Sequence, residues 1–323
     1  MLARVHSVEA LLASLGGVAT YEELASVLPR RRIARAVADG DLVRCRRGRY
    51  VSQATAHGRE LAHKLTATLS HESAALHHGW PVRQEPDRPH VIVRRQRHLL
   101  AEDRERVVSH YRELAPGDMS GGVTTPVRTV LDCARDLSLD RALAVADSAL
   151  RSRAVSQEAL RRAVEALPAR MRGKARARRV VLAATPLAAG PIESVLRATV
   201  SDLPGFAFLP QVTLTDLGLY ATPDLCDSAR KVALEAEGYA FHGGRREFLR
   251  DCTRYDDLVA FGWTVFRYGW EHVMFQPRYV RWCLESWLAR HEGRIPPPRP
   301  TRLGRVASSP PHGVHPNRQR RAG

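Results

Sequence analysis

The chain has 323 residues, 44% of them hydrophobic, and carries 50 Lys and Arg against 34 Asp and Glu, a formal net charge of +16 with an isoelectric point near 10.5. That length holds two or three domains, while the mean hydropathy of −0.30 and the lack of any long apolar run exclude a helical membrane span. The positive surplus favours a polyanionic partner, nucleic acid before a membrane surface. Lys64, Lys174 and Lys231 are the only lysines; a GC-rich genome explains the preference for Arg over Lys but not the net surplus. Cys45, Cys133, Cys226, Cys252 and Cys283 are scattered and odd in number, never in C-x-x-C spacing. They argue against a disulfide framework or a cysteine zinc site and fit a reducing cytoplasm. The opening Met1 to His6 lacks the apolar stretch of a signal peptide.

Residues 1–52 are expected to form a winged-helix unit. Val8 to Leu15 is a short apolar helix closed by Gly16-Gly17. Thr20 and Glu23 have the spacing of a capping box for a second helix, Tyr21 to Leu28. Pro29 separates it from a third, Arg30 to Ala38, and Leu42–Cys45 with Gly48–Val51 alternate as a hairpin around Arg46-Arg47. The third helix carries Arg30, Arg31, Arg32 and Arg35, and the hairpin Arg44, Arg46, Arg47 and Arg49, against only Asp39 and Asp41. A solvated basic face is the plainer explanation. It is weakened because both elements that would touch a duplex, one at base edges and one at phosphates, are the charged ones. The run Gly17-Val18-Ala19-Thr20, with Ile33 to Val37, Gly40 to Val43 and Arg47 to Tyr50, resembles the N-terminal domain of AbiEi-family antitoxins. That resemblance implies a regulator of a type IV toxin–antitoxin operon, with operator DNA and a cognate toxin as partners.

Residues 53–185 read as a mixed α/β middle region. A helix begins in Leu69 to Gly79; strands are expected at His90–Val93 and Val107–Tyr111. Another helix starts at Pro126 with Thr125 as its cap, and Leu143, Val145, Ala146, Ala149 and Leu150 give a further apolar face. His71, His77 and His78 invite a metal site, but their spacing fits a helix poorly and no carboxylate partner is evident, so none is expected there. No complete catalytic set is visible in this region. Met171 to Arg179 forms a second basic cluster on an expected helix.

The densest chemistry follows Pro223-Asp224. Val232, Leu234 and Ala236 alternate with Ala233, Glu235 and Glu237, so a strand there puts Glu235 and Glu237 on one face. Asp224 ends a strand-like run, Leu219 to Thr222, and Asp227 to Arg230 reads as a turn that brings Asp224 near Glu235. Acids at i, i+2 commonly mark a solvated edge. Clustered acidic oxygens are also what a hard ion such as Mg²⁺ selects.

The wider pattern resembles the PD-(D/E)XK nuclease superfamily and, within it, very-short-patch-repair-like endonuclease domains, over about residues 190–291. The matching segments are the helix Pro191 to Arg197 with Glu193, a strand starting at Gln211-Val212, Pro223-Asp224, Glu235 to His242, a helix through Arg250 to Asp256, and a last strand from Gly262 to Tyr268. The resemblance implies that Asp224 and Glu235 hold Mg²⁺, or Mn²⁺ in its place. It further implies that Glu193 orients a ligand water, Glu237 takes a second ion or positions the attacking water, His242 shuttles a proton, and Arg254 and Arg267 clamp phosphate. Glu237 departs from the pattern, standing where the superfamily has Lys and this subgroup Asp.

These readings predict an α+β multidomain chain: an N-terminal winged helix over 1–52, a mixed α/β middle over 53–185, a PD-(D/E)XK restriction-endonuclease-like α/β domain over 190–291, and a disordered basic tail over 292–323. The tail has seven Pro, seven Arg and no acid beyond Glu292. The leading functional expectation is a cytoplasmic protein that binds double-stranded DNA and hydrolyses nucleic-acid phosphodiesters with Mg²⁺. The alternative is a non-catalytic antitoxin-like transcriptional regulator with a degenerate nuclease fold, which the Glu237 departure favours. A third reading, a nucleotidyltransferase toxin, is weak because the chain has no G-S…D-x-D segment.

Overall fold

A computed structural model of the chain describes residues 7–216, 218–238 and 245–300. Its first unit has the helices Val8–Ser14, Tyr21–Val27 and Arg30–Ala38 and the strands Val18–Thr20, Leu42–Arg46 and Arg49–Ser52. The strands form an antiparallel sheet with Arg49–Ser52 at its centre. Val18–Thr20 was not anticipated as a strand; three residues are too short to show alternation. The Thr20–Glu23 capping box is formed, Thr20 Oγ1 accepting from Glu23 N at 3.1 Å and Glu23 Oε2 accepting from Thr20 N at 2.6 Å. Leu11, Leu12, Leu24, Leu28, Ile33 and Leu42 fill the small core. Gly16, with φ +79°, passes so close to the middle region that a Cβ there would lie 2.3 Å from Val82 O.

The middle region opens with the helix Gln53–Lys64, capped by the Ser52 hydroxyl. A five-stranded mixed sheet follows, in the spatial order Val108–Tyr111, His90–Val93, Thr68–Leu69, Val123–Thr124, Met119–Ser120. The helices Pro126–Asp136, Leu139–Arg151, Gln157–Glu165 and Lys174–Ala183 come next. Their alanine- and valine-rich faces build the largest apolar core, which also takes in Val18 and Val51 from the first sheet and Ala198 from further on. Thr125 occupies the N-cap position before Pro126, but its hydroxyl makes no capping bond, contrary to expectation.

The C-terminal region has the helix Pro191–Val200 and a four-stranded sheet in the order Thr264–Gly269, Val232–Glu237, Leu225–Asp227, Leu209–Pro210. Thr264–Gly269 runs parallel to Val232–Glu237, joined to it by a segment that includes the helix Arg245–Ala260; the other pairings are antiparallel. Gln211 does not start a strand: its φ of +51° takes it out of extended conformation just after Leu209–Pro210. Leu219–Ala221 pairs instead with Leu214–Asp216 as a separate hairpin, so Asp224 leads into Leu225–Asp227 rather than ending the earlier run.

Helix Pro191–Val200 serves two cores. Val195, Leu196 and Val200 pack with Leu225, Leu234, Tyr268 and Val280. Its other face meets Leu139–Arg151, where buried Asp147 accepts from Thr185 N at 2.8 Å, Ser194 Oγ at 2.7 Å and the Arg197 guanidinium. Residues 292–300, expected to open a disordered tail, lie against the helix Pro277–His291. Trp282 Nε1 donates to Pro297 O at 2.9 Å, and Arg299 sits over the Tyr279 and Trp282 rings. Residues 301–323 of that tail lie outside the described residues. Among the described residues no helix is long and apolar enough to cross a membrane.

Candidate functional site

The antiparallel pairing of Leu225 with Leu234 sets Asp224, one residue earlier, level with Glu235. The turn that joins these two strands holds this register, since Asp227 Oδ1 accepts from Arg230 N at 3.1 Å. Asp224 Oδ2 accepts from Ala236 N at 2.8 Å, tying the acid to the neighbouring strand. Gln211 Nε2 donates both to Asp224 Oδ1 at 3.2 Å and to Glu193 Oε2 at 3.1 Å. Glu193 comes from the first turn of Pro191–Val200 and also accepts from Ala189 N at 2.9 Å. The left-handed backbone at Gln211 thus has a consequence: its carboxamide bridges the two acids.

Glu235 and Glu237 face the helix Arg245–Ala260. Glu235 Oε1 accepts from Arg254 at 3.0 Å. Glu237 Oε1 accepts from the Tyr255 hydroxyl at 2.9 Å and from Arg267 Nε at 2.9 Å, and Arg254 also donates to the Tyr255 oxygen. Arg254 and Arg267, expected as phosphate clamps, are therefore engaged with these acids. Burial, with the charges of Asp224 and Glu237 added, pushes Glu235 up to about 8 in spite of Arg254. Burial and Asp224 push Glu193 up to about 7. Burial also raises Asp224 above the usual carboxylate range, outweighing its bond from Ala236.

Glu193, Asp224, Glu235 and Glu237 supply the hard oxygen donors a divalent ion needs. As arranged, however, no three of them bring their oxygens within 4.8 Å of one another. Gln211, Arg254, Tyr255 and Arg267 hold them apart as a hydrogen-bonded network, so the present geometry does not fit a Mg²⁺ cage. His242 lies outside the described residues.

In the first unit Arg30, Arg31, Arg35, Arg46 and Arg47 are exposed, with Arg32 and Arg49 half-buried. Arg35 pairs with Asp39 at 3.3 Å across an open helix face. The Arg46 guanidinium meets His78 Nδ1 at 3.4 Å, and the stem of Arg49 passes close to Gly79. One edge of the hairpin therefore runs along the middle region, and Arg47 stands at the turn.

The middle region holds a constellation that spacing did not reveal. His71 starts the helix His71–His77 and has a φ of +51°; His90 opens one strand, and His110 lies on the parallel neighbour, where His90 pairs with Val108 and Ile92 with His110. The pleat turns His90 and His110 to the same face. His71 stacks on His110 with ring centroids 3.8 Å apart. His90 Nδ1 and His110 Nε2 are 3.0 Å apart, and His71 Nε2 meets Asp136 Oδ2 at 2.8 Å. Asp132 and Asp136, one turn apart on Pro126–Asp136, are held by Arg112, while buried Glu72 is held by Arg141. Burial, with the neighbouring His71 ring, lowers His90 to about 2 and His110 to about 3, so both are neutral at physiological pH. Reading histidines only within one helix missed His90 and His110, because a sheet pairing has no fixed spacing in sequence. The carboxylate that His71 seemed to lack comes from Asp136.

Residues 66–181, which enclose this constellation, match the family model of the AbiEi antitoxin C-terminal domain. The match ends before the acidic cluster. Two uncharacterized proteins of Mycobacterium tuberculosis, one from strain CDC 1551 / Oshkosh and one from strain H37Rv, are each 32% identical to the chain over 181 residues, covering 53% of this chain and 62% of theirs. The chain thus spans less than two thirds of the length of the curated relatives it matches. Residues 66–181, which hold the five-stranded sheet and most of the helices packed beside it, are similar to an AbiEi antitoxin C-terminal domain.

Proposed function

We propose that this chain is a DNA-binding, antitoxin-like transcriptional regulator whose partners are its operator and a cognate toxin. The match of residues 66–181 to the AbiEi antitoxin C-terminal domain carries this reading. It is supported by the exposed arginines of Arg30–Ala38 and of the hairpin, on a unit whose element order suits a winged helix. In this reading Arg30, Arg31, Arg32 and Arg35 face base edges and backbone, while Arg46, Arg47 and Arg49 face phosphates. The region 190–291 is a nuclease-like scaffold in which Glu235 and Glu237 are ion-paired to Arg254 and Arg267 and Glu193 and Asp224 are held by Gln211 and backbone amides. The test is a titration of the full chain against its own promoter duplex and an unrelated duplex at several salt concentrations. Binding is expected to fall steeply with salt and to favour the promoter. Replacing Arg46 and Arg47 by Ala should weaken both complexes alike and reduce the salt slope by roughly one unit per lost phosphate contact. Wild-type protein without salt-dependent binding would remove the reading.

A second reading keeps the metal-dependent nuclease, because Glu193, Asp224 and Glu235 are raised by burial and by the charge of neighbouring acids, a repulsion that a divalent ion relieves. Under it Asp224, Glu235 and Glu237 bind Mg²⁺ or Mn²⁺ once Arg254 and Arg267 move to the phosphate. Cleavage of several nucleic-acid substrates in either ion, abolished by Asp224→Asn with DNA affinity retained, would establish it. No cleavage of any substrate would end it.

A further inference from the structure

We propose that His71, His90 and His110 form a binding site for one divalent transition-metal ion of the zinc class. One ring nitrogen from each of the three lies within 4.8 Å of the other two, and among the described residues they are the sole His, Cys, Asp or Glu group to converge in this way. The outward nitrogens identify which atoms are left for an ion. His71 Nε2 meets Asp136 Oδ2 at 2.8 Å, His110 Nδ1 is 3.9 Å from the same oxygen, and His90 Nε2 is 4.0 Å from Glu72 Oε2. His71 gives its outer N–H to Asp136, while the outer nitrogens of His110 and His90 face Asp136 and Glu72 at longer range, leaving His71 Nδ1, His90 Nδ1 and His110 Nε2 as ligands.

At His71 this is the arrangement that metal-binding histidines need, and at His90 and His110 a small approach completes it. A carboxylate accepting the outer N–H fixes the tautomer, aims the opposite lone pair and raises its basicity. The carboxylates are themselves fixed, Asp136 by Arg112 and Glu72 by Arg141. Imidazole nitrogens without thiolate or hard oxygen ligands suit Zn²⁺ and its neighbours, not Mg²⁺. Tetrahedral zinc, with Zn–N of about 2.0–2.1 Å, needs ligand nitrogens about 3.3 Å apart. His90 Nδ1 and His110 Nε2 are already 3.0 Å apart, and His71, stacked on His110, must turn to bring its nitrogen onto the same ion. The Ser70 hydroxyl, 2.9 Å from His71 Nδ1, now holds that lone pair and must give way to the ion. An ion has a way in, because the His110 side chain is 16% exposed. Binding would join the start of His71–His77 to two strands and, through Asp136, to the helix Pro126–Asp136.

The test is calorimetric titration of the full chain, first stripped with a chelator, with zinc chloride, followed by zinc-edge X-ray absorption. One equivalent is expected to bind and to raise Tm. The double variant His90→Gln with His110→Gln should lose that equivalent, while His77→Gln with His78→Gln should keep it. Absence of zinc binding by folded wild-type protein would overturn the proposal, as would equal binding by the first double variant. If that variant does not fold, the absorption spectrum of the zinc-loaded wild type decides. A shell containing three imidazoles upholds the site, and a shell of thiolates or of oxygens alone overturns it.

Discussion

At the scale of single residues, the buried acids dominate the expected behaviour. Glu193, pushed up to about 7, and Glu235, pushed up to about 8, keep their protons where the unfolded chain has lost them. Their contribution to stability is complete below the ordinary glutamate pKa of about 4.3 and is lost as pH rises through 7 and 8. Glu235→Gln cannot ionise, so it should flatten the fall of Tm between about pH 5 and pH 8. A Tm–pH profile unchanged by that substitution would mean that Glu235 ionises normally beside Arg254. Asp147 is a different case. It is fully buried and accepts three hydrogen bonds, one from Arg197, whose side chain is only 11% exposed. Asp147→Ala leaves that guanidinium buried without its partner and should cost about 3–5 kcal/mol, read by urea unfolding. The Glu235–Glu237 face was legible from the period of two. The Asp147–Arg197 pair was not, because its members are fifty positions apart.

At the scale of elements, local signals served well where the physics is local. Thr20 and Glu23 form their capping box because both partners lie within one turn. Thr20→Ala should therefore lower stability by ~1 kcal/mol. Thr125 has the same chemistry and position, yet its hydroxyl makes no capping bond. Thr125→Ala should change stability by less than about 0.5 kcal/mol. Thermal unfolding of the two variants side by side checks the contrast, and equal losses would contradict it. The strand Val232–Glu237 was legible in full because its alternation spans six residues. Val18–Thr20 and Gln211 were not: a three-residue edge strand has no period to detect, and a single left-handed residue is set by what surrounds it.

At the scale of the whole molecule, Pro191–Val200 links the helix-rich core to the C-terminal sheet. A cut near residue 189, just before the expected start of the nuclease-like region, strips this helix from Leu139–Arg151 and exposes Asp147 and the apolar face around it. A fragment ending at 189 is expected to aggregate or unfold at lower temperature than one ending at 203, as size-exclusion chromatography and circular dichroism would show. Equal behaviour of the two would mean that the helix belongs to the C-terminal region alone.

What the sequence by itself determined is the local and compositional part: the basic surplus, the helices and strands with a sustained period, the arginines of the third helix and hairpin, and the shared face of Glu235 and Glu237. Each follows from spacing within a turn or a strand, where neighbours in sequence are neighbours in space. Tertiary structure alone decided that Gln211 bridges Glu193 and Asp224, that Arg254 and Arg267 are spent on the acids, and that His71 meets His90 and His110 against Asp136. Those contacts join residues brought together by sheet pairing and helix packing, and no spacing rule links positions whose separation is set by the length of the chain between them.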